Sequence, residues 1–384
     1  MHNKHPGLGF PVLLTILIGG ARLALAGPLA PPLGAIQPTS RFSPRVEIDQ
    51  LPFTVAVSGS YYLGRDLTGV AGSNGITIAA DNVTLDLGGF SLFGVAGSLD
   101  GVAVPAAQAN LSIHGGTVRG WGVDGVDCTL ATNCALANLQ ASSNAGHGLR
   151  IGIGGLVSKC TARENILDGV NTGAGVTVLD CTMDDNGDDG ISAGVGCTVR
   201  SCTAYSNDDS GITTGGGSTV IGCTTRDNGG GAATPTKDGI AAADGSSVID
   251  CVAYSNDDDG ILVTAGSTVR GCTATSNLGD GIQAANDCLV QGNTCDGNGA
   301  GVNDGAGIHV TDGDTRVIDN HVTDNDRGID VDLAGSLIIR NSAAGNTVAF
   351  DIAPGNDYGQ IILSPGAGFN GAATDSNPWA NFEF

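Results

Sequence analysis

The stretch Gly260–Asn277, GILVTAGSTVRGCTATSN, decides the fold of this chain. Ile261 and Val263 share one face of a short strand by alternation, and Leu262 and Thr264 share the other. Val269 and Cys272 follow as further inward positions, and Asn277 closes the unit before the pattern restarts at Gly281, 21 residues on. A single unit of this length buries almost nothing. It can be stable only stacked on copies of itself.

The copies are present. A glycine followed by an aliphatic residue recurs at Gly75, Gly101, Gly125, Gly148, Gly169, Gly190, Gly211, Gly239, Gly260, Gly281, Gly307 and Gly328, most often 21 residues apart. Three more columns keep the register: Val157, Val178 and Val199 through Ile338; Cys160, Cys181, Cys202, Cys223, Cys251 and Cys272; and Asn144, Asn165, Asn186 and Asn207 through Asn325. An asparagine that recurs once per turn can bond its neighbours above and below through its own amide, which suits a tight internal corner. Leucine-rich, helical and collagen-like repeats lack this pattern. The prediction is an all-β, right-handed parallel β-helix of about 12 coils with N- and C-terminal caps, rising ~4.8 Å per coil.

Composition agrees: 63 glycines, 4% aromatic and 14% charged residues fit many short strands joined by tight turns. The formal charge of −23 disfavours nucleic acid and purely electrostatic binding to anionic lipid. Residues 1–26 have a weakly basic start, an apolar stretch from Phe10 and the sequence Ala24-Leu25-Ala26. That is the pattern of a cleaved signal peptide, so the expected mature chain is exported and has no transmembrane segment. A Pro-rich linker over 27–45 precedes the cap and β-helix of 46–350. Residues 351–384 form a C-terminal capping segment, with Trp379, Phe382 and Phe384 expected to close the tube.

The segments GSYYLGRDLTG (59–69), NGITIAADNVTLDLGGFSL (74–92) and NPWANF (377–382), with the repeat between them, resemble secreted bacterial parallel β-helix proteins of the pectin-lyase-like superfamily. The resemblance spans about 46–384 and implies the fold. It associates the chain with polysaccharide lyases, epimerases, hydrolases, tailspikes and adhesins without choosing among them. The ordered catalytic triplets of polygalacturonase-like hydrolases are incomplete here: Gly146-His147-Gly148 precedes the Asp-Asp pairs, and the basic triplet is missing. The Asp-Pro-His motif of alginate epimerases is absent.

Two constellations stand out. His309 and Asp330 occupy one outward slot in successive coils, with Asp332 on the same face, so these are the candidate catalytic residues. An ordinary ion pair and a metal site are the alternatives, and no cation is expected beside His309. The insertions before Gly239 and Gly307 leave one corner three coils apart and frame a groove ~14 Å wide. Its floor carries Asp257, Asp258, Asp259 and Asp280, rimmed by Lys237 and Asp304, the candidate substrate-binding set. Solvated turns are the alternative.

Calcium is the candidate cofactor, bridging Asp257, Asp259 and Asp280, or Asp188, Asp189, Asp208 and Asp209. Of the 11 cysteines, Cys128 and Cys134 flank a loop that a disulfide could close, and the stacked column is expected to be reduced. The sequence therefore favours a non-catalytic surface, matrix or extracellular glycan-binding protein whose partner is a polysaccharide or cell-surface material. The alternative is a carbohydrate-active enzyme, a polysaccharide lyase, epimerase or glycoside hydrolase. Nothing in the sequence fixes the oligomeric state.

Overall fold

The computed structural model describes residues 45–230, 237–299, 305–363 and 377–384. They form a parallel β-solenoid of about 15 turns. In the quoted coil the strands are Ile261–Val263, Thr268–Arg270 and Thr273–Thr275, one on each of three walls. The first wall is a 14-stranded parallel sheet, and the other two walls share a 28-stranded sheet. Each strand pairs with its equivalent one coil away, as Ile261 does with Ile240 and Ile282.

The expected 12 coils undercount because coils at both ends lack the glycine marker. Phe53–Val55 already pairs with Ile76–Ile78, so the segment read as an N-terminal cap is itself a coil. At the other end Val348–Ile352 pairs with Arg327–Val331, the strand that carries Gly328.

The glycine column has a packing cause. A Cβ on Gly260 would lie 2.5 Å from Asn277 Nδ2 and 2.7 Å from the Gly281 carbonyl oxygen, so no side chain fits between wall and ladder. The corners of the same coil turn through left-handed residues, Gly266, Gly271 and Ser276, which is why glycine and small polar residues occupy them.

Inside, Val269, Cys272, Ala274, Ile261 and Val263 are fully or almost fully buried, and their equivalents stack along the axis. The asparagine ladder is continuous. Asn256 Nδ2 donates to Asn277 Oδ1 at 2.9 Å, and Asn277 Nδ2 donates to Asn298 Oδ1 at 2.9 Å. A second asparagine ladder, Asn293, Asn320, Asn341 and Asn381, continues the cysteine column, because Cys272 N donates to Asn293 Oδ1 as Cys251 N does to Cys272 Sγ. The cysteines thus act as ladder residues as well as small hydrophobes.

All 11 cysteines are free and buried, Cys128 and Cys134 included, so the expected Cys128–Cys134 disulfide is instead a pair of thiols inside the tube. The expected aromatic plug is also corrected. Trp379 and Phe384 are exposed, with Trp379 beneath the Arg340 guanidinium, while Ala380 and Asn381 are the buried residues of that segment. Asn381 takes the inward place because the ladder needs an amide there. Among the described residues no helix is long and apolar enough to cross a membrane. The expected signal peptide and nearly all of the linker lie outside the described residues.

Candidate functional site

The residue before each repeat glycine sits at the corner between the third wall and the first. Along the axis this slot holds Asp124, His147, Asp168, Asp189, Ser210, Asp238, Asp259, Asp280, Ala306 and Arg327. Its carboxylates carry out a structural task. Oδ1 of Asp238, Asp259 and Asp280 accepts the backbone N–H of Asp259, Asp280 and Ala306, at 3.2, 2.7 and 2.6 Å. Stacking buried acids one coil apart has an electrostatic cost. Burial, then the neighbouring carboxylates, push Asp189 and Asp259 up to about 8 and Asp238 up to about 7.

Basic residues meet this column near both ends. Toward the N-terminus, Arg150 Nη1 donates to Asp124 Oδ2 at 3.1 Å, and His147 Nδ1 lies 3.2 Å from Asp168 Oδ2. Toward the C-terminus, His309 is held between two carboxylates: Nδ1 is 2.8 Å from Asp280 Oδ2, and Nε2 is 3.2 Å from Asp332 Oδ2. One rung on, Arg327 Nη1 donates to Asp330 Oδ2 at 2.5 Å, and its Nε lies 3.4 Å from Asp351 Oδ2. Burial opposes a charge on His309. The hydrogen bond to Asp280 and that carboxylate's charge outweigh it, with Asp332 and Asp330 adding, and raise the imidazole to about 9. Asp330 is 4% exposed, and burial raises its carboxyl against the pull of Arg327.

His309 and Asp330 are register partners on the first wall, as the sequence predicts. However, His309 bonds Asp280 and Asp332, while Asp330 takes Arg327. The expectation of no cation nearby fails at Arg327. That residue stands one place before Gly328, in the same column as Asp280, so the repeat register already marks it. Of the predicted groove floor, Asp257 is exposed, Asp258 and Lys237 are partly buried, and Asp259 and Asp280 are buried in the corner column. The predicted rim residue Asp304 and the loop residues 231–236 and 300–304 lie outside the described residues.

Two groups among the described residues place three candidate ligand atoms within 4.8 Å of one another: His309 with Asp330 and Asp332, and Asp188 with Asp189 and Asp209. Asp208 is exposed and belongs to neither.

Between the basic ends, the outward column of the first wall reads Asn171, Ser192, Thr213, Ala241, Leu262 and Gln283, stacked in unbroken register. Arg150 precedes this strip and His309 follows it. It is a flat, mostly neutral surface about 24 Å long.

None of the curated proteins compared with the chain matches it in sequence. Among solved structures it is similar to the A-module of mannuronan C-5 epimerase AlgE4 of Azotobacter vinelandii, at 15% identity and a TM-score of 0.56, covering 78% of this chain and 90% of that one. The AlgE6 A-module from the same organism is similar at 14% identity and a TM-score of 0.53, covering 74% and 83%. At such identities the likeness concerns the fold. The family model for the right handed beta helix region matches residues 100–247 and 233–348, and with the stacked walls and ladders already described, the chain belongs to the right-handed β-helix family.

Proposed function

We propose that this protein is an exported, non-catalytic β-helix that binds an extended neutral or cationic polysaccharide along its first wall. The observation that carries this reading is the strip from Asn171 to Gln283, whose hydroxyl, amide and small apolar side chains stack in one register on a flat sheet. Such a surface offers hydrogen bonds and apolar contact to successive sugar rings without charge. The exposed Asp257 and the partly buried Asp258, at the edge of this wall, would meet positively charged groups on a glycan.

Turnover would require a base and an acid free to exchange protons with one ring, and a group that stabilises developing charge. His309, raised to about 9, is a cation at neutral pH and serves as a donor to Asp280 and Asp332. Arg327 is engaged by Asp330 and Asp351.

A second reading, a lyase, epimerase or hydrolase, is favoured by one observation: imidazole, carboxylate and guanidinium converge on adjacent coils of the same wall. The two readings separate in one panel. The full chain is tested for retention of polysaccharides in affinity electrophoresis and for release of reducing ends or unsaturated ends. Retention without product, lost when Ser192→Trp and Thr213→Trp are combined, is the expected result. Product that disappears in His309→Ala would establish the enzyme instead.

A further inference from the structure

The third wall has no part in the glycan strip, and near its N-terminal end its outer face carries a polar cavity. The strands Ser91–Phe93, Ala109–Arg119, Thr132–Ser142 and Thr161–Arg163 pair in parallel there. Alternation buries Leu92, Val118, Ala141 and Ala162 in the tube and turns their neighbours outward in two columns. One column reads Ser91, Thr117 and Gln140, and the other Phe93, Arg119, Ser142 and Arg163. Ser142 is the short member of the second column. It leaves a notch between two arginines whose backbones stand roughly 10 Å apart along the axis. The two columns, with Ser143 and Glu164, line a cavity of about 330 Å³. That is near the small end of ligand sites, a size for one sugar ring rather than a chain of them.

The two arginines are not equivalent. Arg163 Nη2 donates to Glu164 Oε1 at 2.8 Å, and its Nε lies 3.7 Å from Asp184 Oδ2. Glu164 Oε2 also accepts Ser143 Oγ at 3.1 Å, so this side of the cavity compensates its own charges. Arg119 has no carboxylate partner among the described residues. Its guanidinium lies 5.8 Å from the centroid of the Phe93 ring, a contact that steadies the cation and uses none of its N–H donors. Among the described residues the side chains of Ser91, Thr117, Gln140 and Ser142 likewise make no hydrogen bond within the chain.

We propose that this cavity binds a sulfated sugar, with the Arg119 guanidinium and the Thr117 and Ser142 hydroxyls meeting the sulfate ester. A guanidinium without a carboxylate calls for an anion, and the donors beside it decide which one. They come from two columns and two coils. A planar carboxylate has two oxygens to offer them, and a sulfate ester has three terminal oxygens on a tetrahedral centre. A phosphate monoester has the same shape but close to twice the charge at neutral pH, and a chain of formal charge −23 repels it more strongly. Ser91 and Gln140 supply both donors and acceptors for the hydroxyls of the sugar. The site lies on a different wall from the glycan strip and takes a ligand of opposite charge preference, so it stands independently of that reading.

The test titrates the full chain with glucose 6-sulfate at low ionic strength by calorimetry, with glucose, inorganic sulfate and glucuronate as parallel probes. Saturable binding of glucose 6-sulfate in the millimolar range is expected, with each of the other three clearly weaker. Arg119→Gln should weaken it about tenfold or more, the loss of one charged hydrogen bond. Ser142→Trp fills the notch while keeping both arginines and should abolish binding. Arg270→Gln removes the same charge from an exposed position on the second wall and should leave affinity unchanged. The combined Ser192→Trp and Thr213→Trp variant should also bind normally, and Arg119→Gln should retain whatever polysaccharide the first wall holds, which separates failure of one site from failure of the other. Circular dichroism and the thermal midpoint identify any variant that fails to fold, and Arg119→Gln and Ser142→Trp probe the site independently. Absence of saturable heat would overturn the proposal. So would equal losses in Arg119→Gln and Arg270→Gln, or inorganic sulfate or glucuronate binding as tightly as glucose 6-sulfate.

Discussion

Replacing Asn277 with alanine tests what holds the coils together. Asn277 is fully buried, and its Oδ1 accepts two hydrogen bonds from the preceding coil, from Asn256 N at 3.0 Å and Asn256 Nδ2 at 2.9 Å. Its own Nδ2 donates to Ala253 O at 3.3 Å and to Asn298 Oδ1 at 2.9 Å. Alanine removes all four contacts at once and leaves the Asn256 backbone N–H and one of its amide hydrogens buried without acceptors. Each such orphan costs about 1–3 kcal/mol, so the substitution should destabilise by about 3–5 kcal/mol. Water cannot refill the site easily, because Gly260 packs directly against the Asn277 amide. Urea unfolding followed by circular dichroism measures the loss. Stacked repeats are coupled mainly to their neighbours, so the transition should also broaden or split near this coil. A loss below about 1 kcal/mol would refute the view that the ladder satisfies otherwise orphaned backbone, and would reassign stability to the apolar columns alone.

Two further outcomes follow from the buried groups. Asp259 rises from the ordinary carboxylate range to about 8 through burial and then the charges of Asp280 and Asp238, so the folded state holds a proton that the unfolded state releases near pH 4. Its contribution to stability therefore falls as pH rises from about 4 to 8. Asp259→Asn keeps the acceptor for the Asp280 N–H and cannot ionise, so its midpoint should exceed that of the wild type above pH 8; an unchanged pH profile would exclude the shift. All 11 cysteines should resist alkylation in the folded protein and all should react after unfolding without reductant, read by mass spectrometry. A Cys128–Cys134 pair that stays blocked would show a disulfide in place of the two thiols.

The coil period, the direction of Ile261 and Val263 and the asparagine corner were legible in the sequence because strand alternation and stacking act on every turn alike. A repeated local constraint leaves a repeated residue. Even Arg327 was within reach, since it shares the column of Asp280. What escaped was whatever depends on which atoms meet across coils. Whether His309 turns to Asp330 or to Asp280 and Asp332 is set by side-chain direction and by the Arg327 guanidinium claiming Asp330, and no spacing encodes that choice. The same holds for Asp259 and Asp280. Their column announced acids at a turn, but only the stacked structure decided that each would turn inward to cap the N–H of the next coil. A backbone donor buried at a corner must find an acceptor, and the nearest carboxylate supplies one.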